Sequence, residues 1–183
     1  MRIRPMRNGT AMQQLITLDG HTPTVHESAF VAHTAVLIGQ ASLGADSSAF
    51  YGVVMRGDTS SITVGNGTNL QDNVVLHADP GFPTTVGNGV SVGHGAIVHG
   101  CTVEDDCLIG MSATIMNGAV IGAGSLVAGG AVVLEGAIIP PGSLVAGVPA
   151  KVRRELSAEE LEHVRDNASH YVDLARKHKQ VQH

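Results

Sequence analysis

An aliphatic residue that returns at every sixth position, 23 glycines in 183 residues, and aromatics at only 3% together predict an all-β repeat fold, a parallel β-helix. The sixes run unbroken from Val103 through Ile109, Ile115, Ile121, Val127, Val133 and Ile139 to Val145. Earlier they appear as Val25, Val31, Leu37, Leu43, then Val64, Leu70, Leu76, then Val86, Val92, Val98. A half-buried strand alternates with period two and a helix returns near 3.6, so neither accounts for this spacing. Short strands separated by turns do. Each step supplies one inward aliphatic and one corner, and stacking the coils buries a continuous column. The scarcity of aromatics fits a core of aliphatic side chains of similar size, and the length suits a single domain.

The pattern resembles the hexapeptide-repeat family, whose members fold as a left-handed β-helix with three faces and about 18 residues per coil. The hand is what the resemblance implies, since ordinary parallel crossovers are right-handed. The expected organisation is an N-terminal segment over 1–22, the left-handed β-helix with its site over 23–152, and a C-terminal helix over 153–180. Ser157 and Glu160 have capping-box spacing. Leu161, Val164, Ala168, Tyr171 and Ala175 form one apolar stripe at steps of three and four, so this helix is expected to lie back against the coil.

Composition excludes several classes. The net charge is −5, and between residues 8 and 150 Arg56 is the one basic residue against ten acidic ones. A nucleic-acid binder needs a basic stripe on its folded surface, so none is expected to bind. No apolar run approaches 18 residues, which argues against a membrane span. The opening "MRIRPMRNGT" has no apolar h-region, so a secretory signal is not expected. Cys101 and Cys107 lack CxxC spacing and read as reduced core thiols. A cytoplasmic location follows.

Three histidines stand out in segments otherwise built of small and aliphatic residues: His77 in "LQDNVVLHAD", and His94 and His99 in "VGHGAIVHG". From Leu76 to Val86 the repeat steps by ten rather than six, which places a four-residue insertion at "ADPGFPT". One coil lengthened by four residues carries His77 onto His99, each directly after its inward aliphatic. Stacked strands lie about 4.8 Å apart, so the two imidazoles can face one ion with metal–nitrogen bonds of about 2.0–2.1 Å. The same shift stacks His94 over Asp72, on a different corner. A threefold head-to-tail assembly would bring His94 beside the next subunit's pair, giving three interfacial sites in a homotrimer. Three histidines leave a fourth position for water, as catalytic zinc requires. A lone histidine is usually a surface or hydrogen-bonded residue, and His21, His26, His33, His163, His170, His178 and His183 are read that way.

With these residues in place, the chain resembles the γ-class carbonic anhydrases and γ-carbonic-anhydrase-like proteins. The resemblance rests on "VVMRGD" (Arg56, Asp58), "NLQDNVVLH" (Asn69, Gln71, Asp72, His77) and "VGHGAIVHG" (His94, His99). It implies a lyase that reversibly hydrates carbon dioxide to bicarbonate by metal-bound hydroxide. His77 and His99 of one subunit and His94 of the next would hold zinc, or iron or cobalt in its place, which lowers the pKa of bound water toward 7. It further implies that Gln71 bonds the metal-bound hydroxide, that Asn69 positions substrate or product, and that Arg56 pairs with Asp72 across the trimer interface. For Asn69 and its neighbours there is a plainer alternative, since Asn and Asp at corners satisfy local backbone groups. Tyr171 is a further catalytic candidate if the helix runs antiparallel to the coils.

One departure bears on turnover. The prototype of the class carries a glutamate after the RGD segment and others on a loop after the first histidine, where they shuttle protons; here those places read Thr59 and "ADPGFPT", with Asp79 the only carboxylate. The rival readings are a thioesterase on the same metal site, a coenzyme A-dependent hexapeptide acyltransferase, and a non-catalytic trimer that keeps metal for assembly.

Overall fold

The computed structural model describes residues 14–181; the opening ten residues and His183, both read above, lie outside them. The chain winds as a left-handed parallel β-helix of about seven turns, followed by one helix. Corresponding strands on successive coils pair in parallel and form the three faces. Two faces belong to one 12-stranded sheet that bends round a corner, and the third is an eight-stranded sheet.

The sixth-position aliphatics form the core as the pattern requires. Down one face, Leu37 pairs with Met55, Met55 with Leu76, Leu76 with Val98, Val98 with Ile115 and Ile115 with Val133. All six are fully buried. At about 25 cal/mol per Å², each such side chain contributes roughly 1.5–3 kcal/mol of burial free energy. Asn73 and Gly95 hold one corner on adjacent coils, both in the left-handed region at φ 60° and 68°. Glycine takes that conformation freely and asparagine tolerates it.

Upper coils repeat at 18 residues, as in Thr114 over Val132 and Leu126 over Leu144. The middle coils are longer. His77 pairs with His99 and Asn69 with Ser91, the 22-residue offset that the insertion predicts. A second widening was not visible in the repeat. Strand Val54–Val64 runs for 11 residues round a corner, and its register against Val36–Leu43 shifts between Gly39 and Ala41. The shift adds three residues within 58–61, and Asp58 there stands out beside His77.

The coil also begins earlier than residue 23, because strand Gln14–Ile16 pairs in parallel with Val36–Leu43. At the other end, Ala150–Glu155 turns back as an antiparallel strand on Ser143–Gly147. Helix α1 therefore spans Ala158–Val181 rather than starting at 153. Its capping box is formed: Glu160 N donates to Ser157 Oγ at 3.2 Å and Ser157 N to Glu160 Oε2 at 2.9 Å. From there α1 runs down the eight-stranded sheet against the direction of winding. It buries Val164, Ala168 and Ala175, leaves Leu161 and Tyr171 half-buried, and packs Tyr171 edge-on to Phe50 with centroids 5.6 Å apart. No helix among the described residues is long and apolar enough to cross a membrane.

Candidate metal centre

Strands Val75–His77 and Ile97–His99 occupy adjacent rungs, and each turns its last residue outward at a corner. Leu76 and Val98 face the core, so period two sends the histidines to the other side of the wall. The rings tilt across one another with centroids 4.9 Å apart, and His77 Nδ1 lies 2.9 Å from His99 Nε2. Their far nitrogens are engaged: His77 Nε2 meets Asp58 Oδ1 at 3.0 Å, and His99 Nδ1 meets Asn117 Oδ1 at 2.8 Å. Carboxylate and amide oxygens only accept, so both far nitrogens carry the ring protons. The two remaining nitrogens, His77 Nδ1 and His99 Nε2, then face each other, placed so that one cation could be shared between them.

Asp58 also accepts a hydrogen bond from Arg56 Nη1. Burial acts to raise its pKa, yet the hydrogen bonds from Arg56 and His77 outweigh that and hold the carboxyl below the ordinary 3.8. The carboxylate is thus kept ionised behind the His77 ring. His77, His99 and Asp79 offer donor atoms within 4.8 Å of one another.

His94 is not in that group. It stands over Asp72, as the 22-residue shift predicts, with Gly95 N bonded to Asp72 O at 2.9 Å and His94 Nδ1 2.9 Å from Asp72 Oδ2. The carboxylate accepts a hydrogen bond from His94 Nδ1–H, which leaves Nε2 to face outward. Gln71, His94, Met111, Asn167 and Tyr171 line a largely apolar cavity of about 300 Å³ beneath α1. Tyr171 lies at the edge that carries His94. Burial, and then the Asp72 carboxylate, raise the pKa of its hydroxyl. Asn69 is buried and does not line the cavity. It donates to Ser91 Oγ at 2.9 Å, and its Oδ1 accepts from Gln71 Nε2 at 3.1 Å, so within the protomer it orients Gln71.

The predicted residues therefore fall on two edges: Arg56, Asp58, His77 and His99 on one, and Asn69, Gln71, Asp72, His94 and Tyr171 on the other. Arg56 meets Asp58 rather than Asp72 inside the protomer. Sequence reasoning missed Asn117 and left Asp79 without a role. Asp79 Oδ1 lies 4.0 Å from His77 Nδ1 and 3.9 Å from His99 Nε2. Asn117 lay outside the same register argument, because Ile97–His99 pairs with the next coil at an offset of 17, which lands on Met116 and leaves Asn117 one position beyond. Cys101 and Cys107 are buried free thiols pushed up to about 12 by that burial, and they stand outside any chemistry at these edges.

No protein-family model matches the chain. It is 52% identical over 145 residues to a probable carbonic anhydrase of Methanocaldococcus jannaschii, covering 79% of this chain and 91% of that protein. To the mitochondrial gamma carbonic anhydrase 2 of Arabidopsis thaliana it is 41% identical over 170 residues, which is 90% of this chain but 61% of the plant protein. The chain thus spans about three fifths of that relative's length. Among solved structures it resembles a hexapeptide transferase family protein from Anaplasma phagocytophilum, with TM-score 0.87, 38% identity, and coverage of 90% of this chain and 98% of that one. The archaeal relative, matched over nearly its whole length, decides the assignment: the chain belongs to the γ-class carbonic anhydrase family of hexapeptide-repeat proteins.

Proposed function

We propose that three protomers close into a ring, that each interface holds one zinc ion, and that the assembly reversibly hydrates carbon dioxide to bicarbonate. The observation that carries this reading is the division of donors between two edges. Two imidazoles with inward lone pairs stand on one edge, and a third imidazole with a free Nε2 stands on another. Only an assembly in which these edges face each other completes a three-histidine set, the number that catalytic zinc keeps beside an open position. Iron or cobalt would suit the same imidazole donors.

Bound metal supplies a water that gives up its proton near neutral pH. The chain's own residues do the rest. Gln71, fixed by Asn69, offers an amide toward the His94 edge, and Tyr171 closes the cavity there. Arg56 of one subunit would face Asp72 of the next and lock the ring. On the other edge Asp79 is the carboxylate beside the two facing ring nitrogens, 4.0 Å from His77 Nδ1 and 3.9 Å from His99 Nε2, in place of the glutamates of the prototype. Val75 and Ile97, stacked beside the pair and 37% and 40% exposed, give the first edge an apolar border suited to burial against a neighbour. Free thiols agree with a cytoplasmic setting.

An acyl-transfer reading meets a specific obstacle. Arg56, the one basic residue between positions 8 and 150, is bonded to Asp58, whereas a coenzyme A phosphate needs a cation. The test is stopped-flow carbon dioxide hydration on protein of measured metal content, prepared with and without oxygen. The rate should scale with metal bound per protomer. Rates independent of metal, or full occupancy in His94→Ala, would overturn the proposal.

A further inference from the structure

Corner amides and carboxylates of this coil have a shared task. Asn66 Oδ1 accepts from Ala45 N at 2.8 Å, Asn88 Oδ1 from Asn66 N at 2.9 Å, and Asp105 Oδ1 from Asn88 N at 2.7 Å. Each reaches down one rung and caps a backbone amide there. Asn117 sits at a similar corner and does something else. Its Oδ1 faces His99 Nδ1 at 2.8 Å and its Nδ2 donates to Asp79 Oδ2 at 2.9 Å. The backbone amide below it, Gly100 N, is already bonded to His77 O at 3.1 Å and Thr84 Oγ1 at 2.8 Å.

The orientation of the amide is not arbitrary. Asp79 can only accept, so the Asn117 nitrogen must face it and the oxygen must face His99. An oxygen there requires a proton on His99 Nδ1, which leaves Nε2 as the lone-pair atom. The approach also depends on position 100. Gly100 has φ 56°, and a Cβ on it would lie 2.0 Å from Asn117 Oδ1. Any side chain at that position displaces Asn117 from the ring.

We propose that Asn117 is a positioning residue, one that fixes His99 in its Nδ1–H tautomer with Nε2 toward His77, and that holds the Asp79 carboxylate beside the pair. Its consequence for zinc rests on the metal reading above, whereas the tautomer does not. Outer partners of this kind raise metal affinity about 10- to 100-fold, because a ring left to rotate or to exchange tautomers must be ordered at the moment of binding.

Two measurements test it separately. Long-range ¹⁵N–¹H correlation spectra of the metal-free protein should show His99 protonated at Nδ1, and in Asn117→Ala it should revert toward the Nε2–H form. Chelator competition should show zinc bound about 10- to 100-fold more weakly by Asn117→Ala than by the unaltered protein. Asn117→Asp keeps an acceptor for His99 while losing the donor to Asp79, so it should preserve the Nδ1–H tautomer that Asn117→Ala loses; a merely structural role for the corner would not distinguish the two substitutions. An unchanged His99 tautomer in Asn117→Ala overturns the proposal whatever the zinc affinity. A tautomer that depends on Asn117 in a protein that takes up no zinc leaves the positioning role standing and removes the metal reading instead.

Discussion

His77 Nδ1 and His99 Nε2 face each other 2.9 Å apart, while Asp58 and Asn117 engage the opposite nitrogens. A cation between them should therefore stabilise the folded chain. Zinc at 100 times its dissociation constant adds about 2.7 kcal/mol by mass action. Thermal denaturation should shift upward on adding zinc and back on adding chelator, and His77→Ala should abolish the shift. A zinc response that survives in that variant places the ion elsewhere.

If the donors really are shared between subunits, two defective chains should repair each other. His94→Ala lacks one edge and His77→Ala the other, so each alone should bind little zinc. Refolding them together creates interfaces that combine an intact pair with an intact His94. Metal content and hydration rate should then rise well above either parent. A mixture no better than its components would place all the ligands in one protomer.

Ile115 is fully buried one rung above Val98. Ile115→Ala removes three carbons from a column that cannot close the gap without bending a coil, and should cost about 2–5 kcal/mol. Urea unfolding should show a lower midpoint. A loss under about 1 kcal/mol would mean that the coils relax far more than such packing allows.

The start of α1 should weaken in acid. A hydrogen bond from Arg154, then one from the Ser157 backbone, lowers the Glu160 pKa from 4.5 to about 2. A depressed carboxyl stabilises the fold fully above its unfolded value and loses that contribution as pH falls through its folded value. The window is thus from about pH 4.5 down to about pH 2. Amide exchange in the first turn of the helix should accelerate across it, and Glu160→Gln should flatten the response. Exchange unaffected by pH in the unaltered chain would show the cap to be idle.

The coil was legible because a sixth-position rule is local. Val103 to Val145 announces it without reference to anything distant, and the stacking of His77 on His99 followed from counting the residues in one loop. What escaped depended on side chains meeting across the fold. The excess at 58–61 lies in polar residues within the 11-residue strand Val54–Val64, where no turn signal marks it, so the position of Asp58 behind His77 could not be counted out. Asn117 looks like any corner asparagine until the ring beneath it is seen. Residues 153–155 carry a helix-compatible composition, but pairing with Ser143–Gly147 claims them for a strand. His178, read as an ordinary surface residue, packs on Phe30, Phe50 and Tyr51 and bonds the Tyr51 hydroxyl at 2.9 Å, a contact set by the descent of α1.

That descent changes how the protein should come apart. A solenoid whose storeys touch only their neighbours can shed its terminal storeys one by one. Here Lys179, near the far end of α1, hooks the carbonyls of Glu27 and Ala29 at 2.6 and 3.0 Å, about 150 residues back along the chain. Ground floor and roof are thereby buckled together, so fraying at either end must strip the helix too. A stack built for piecemeal melting becomes one that holds or fails as a whole.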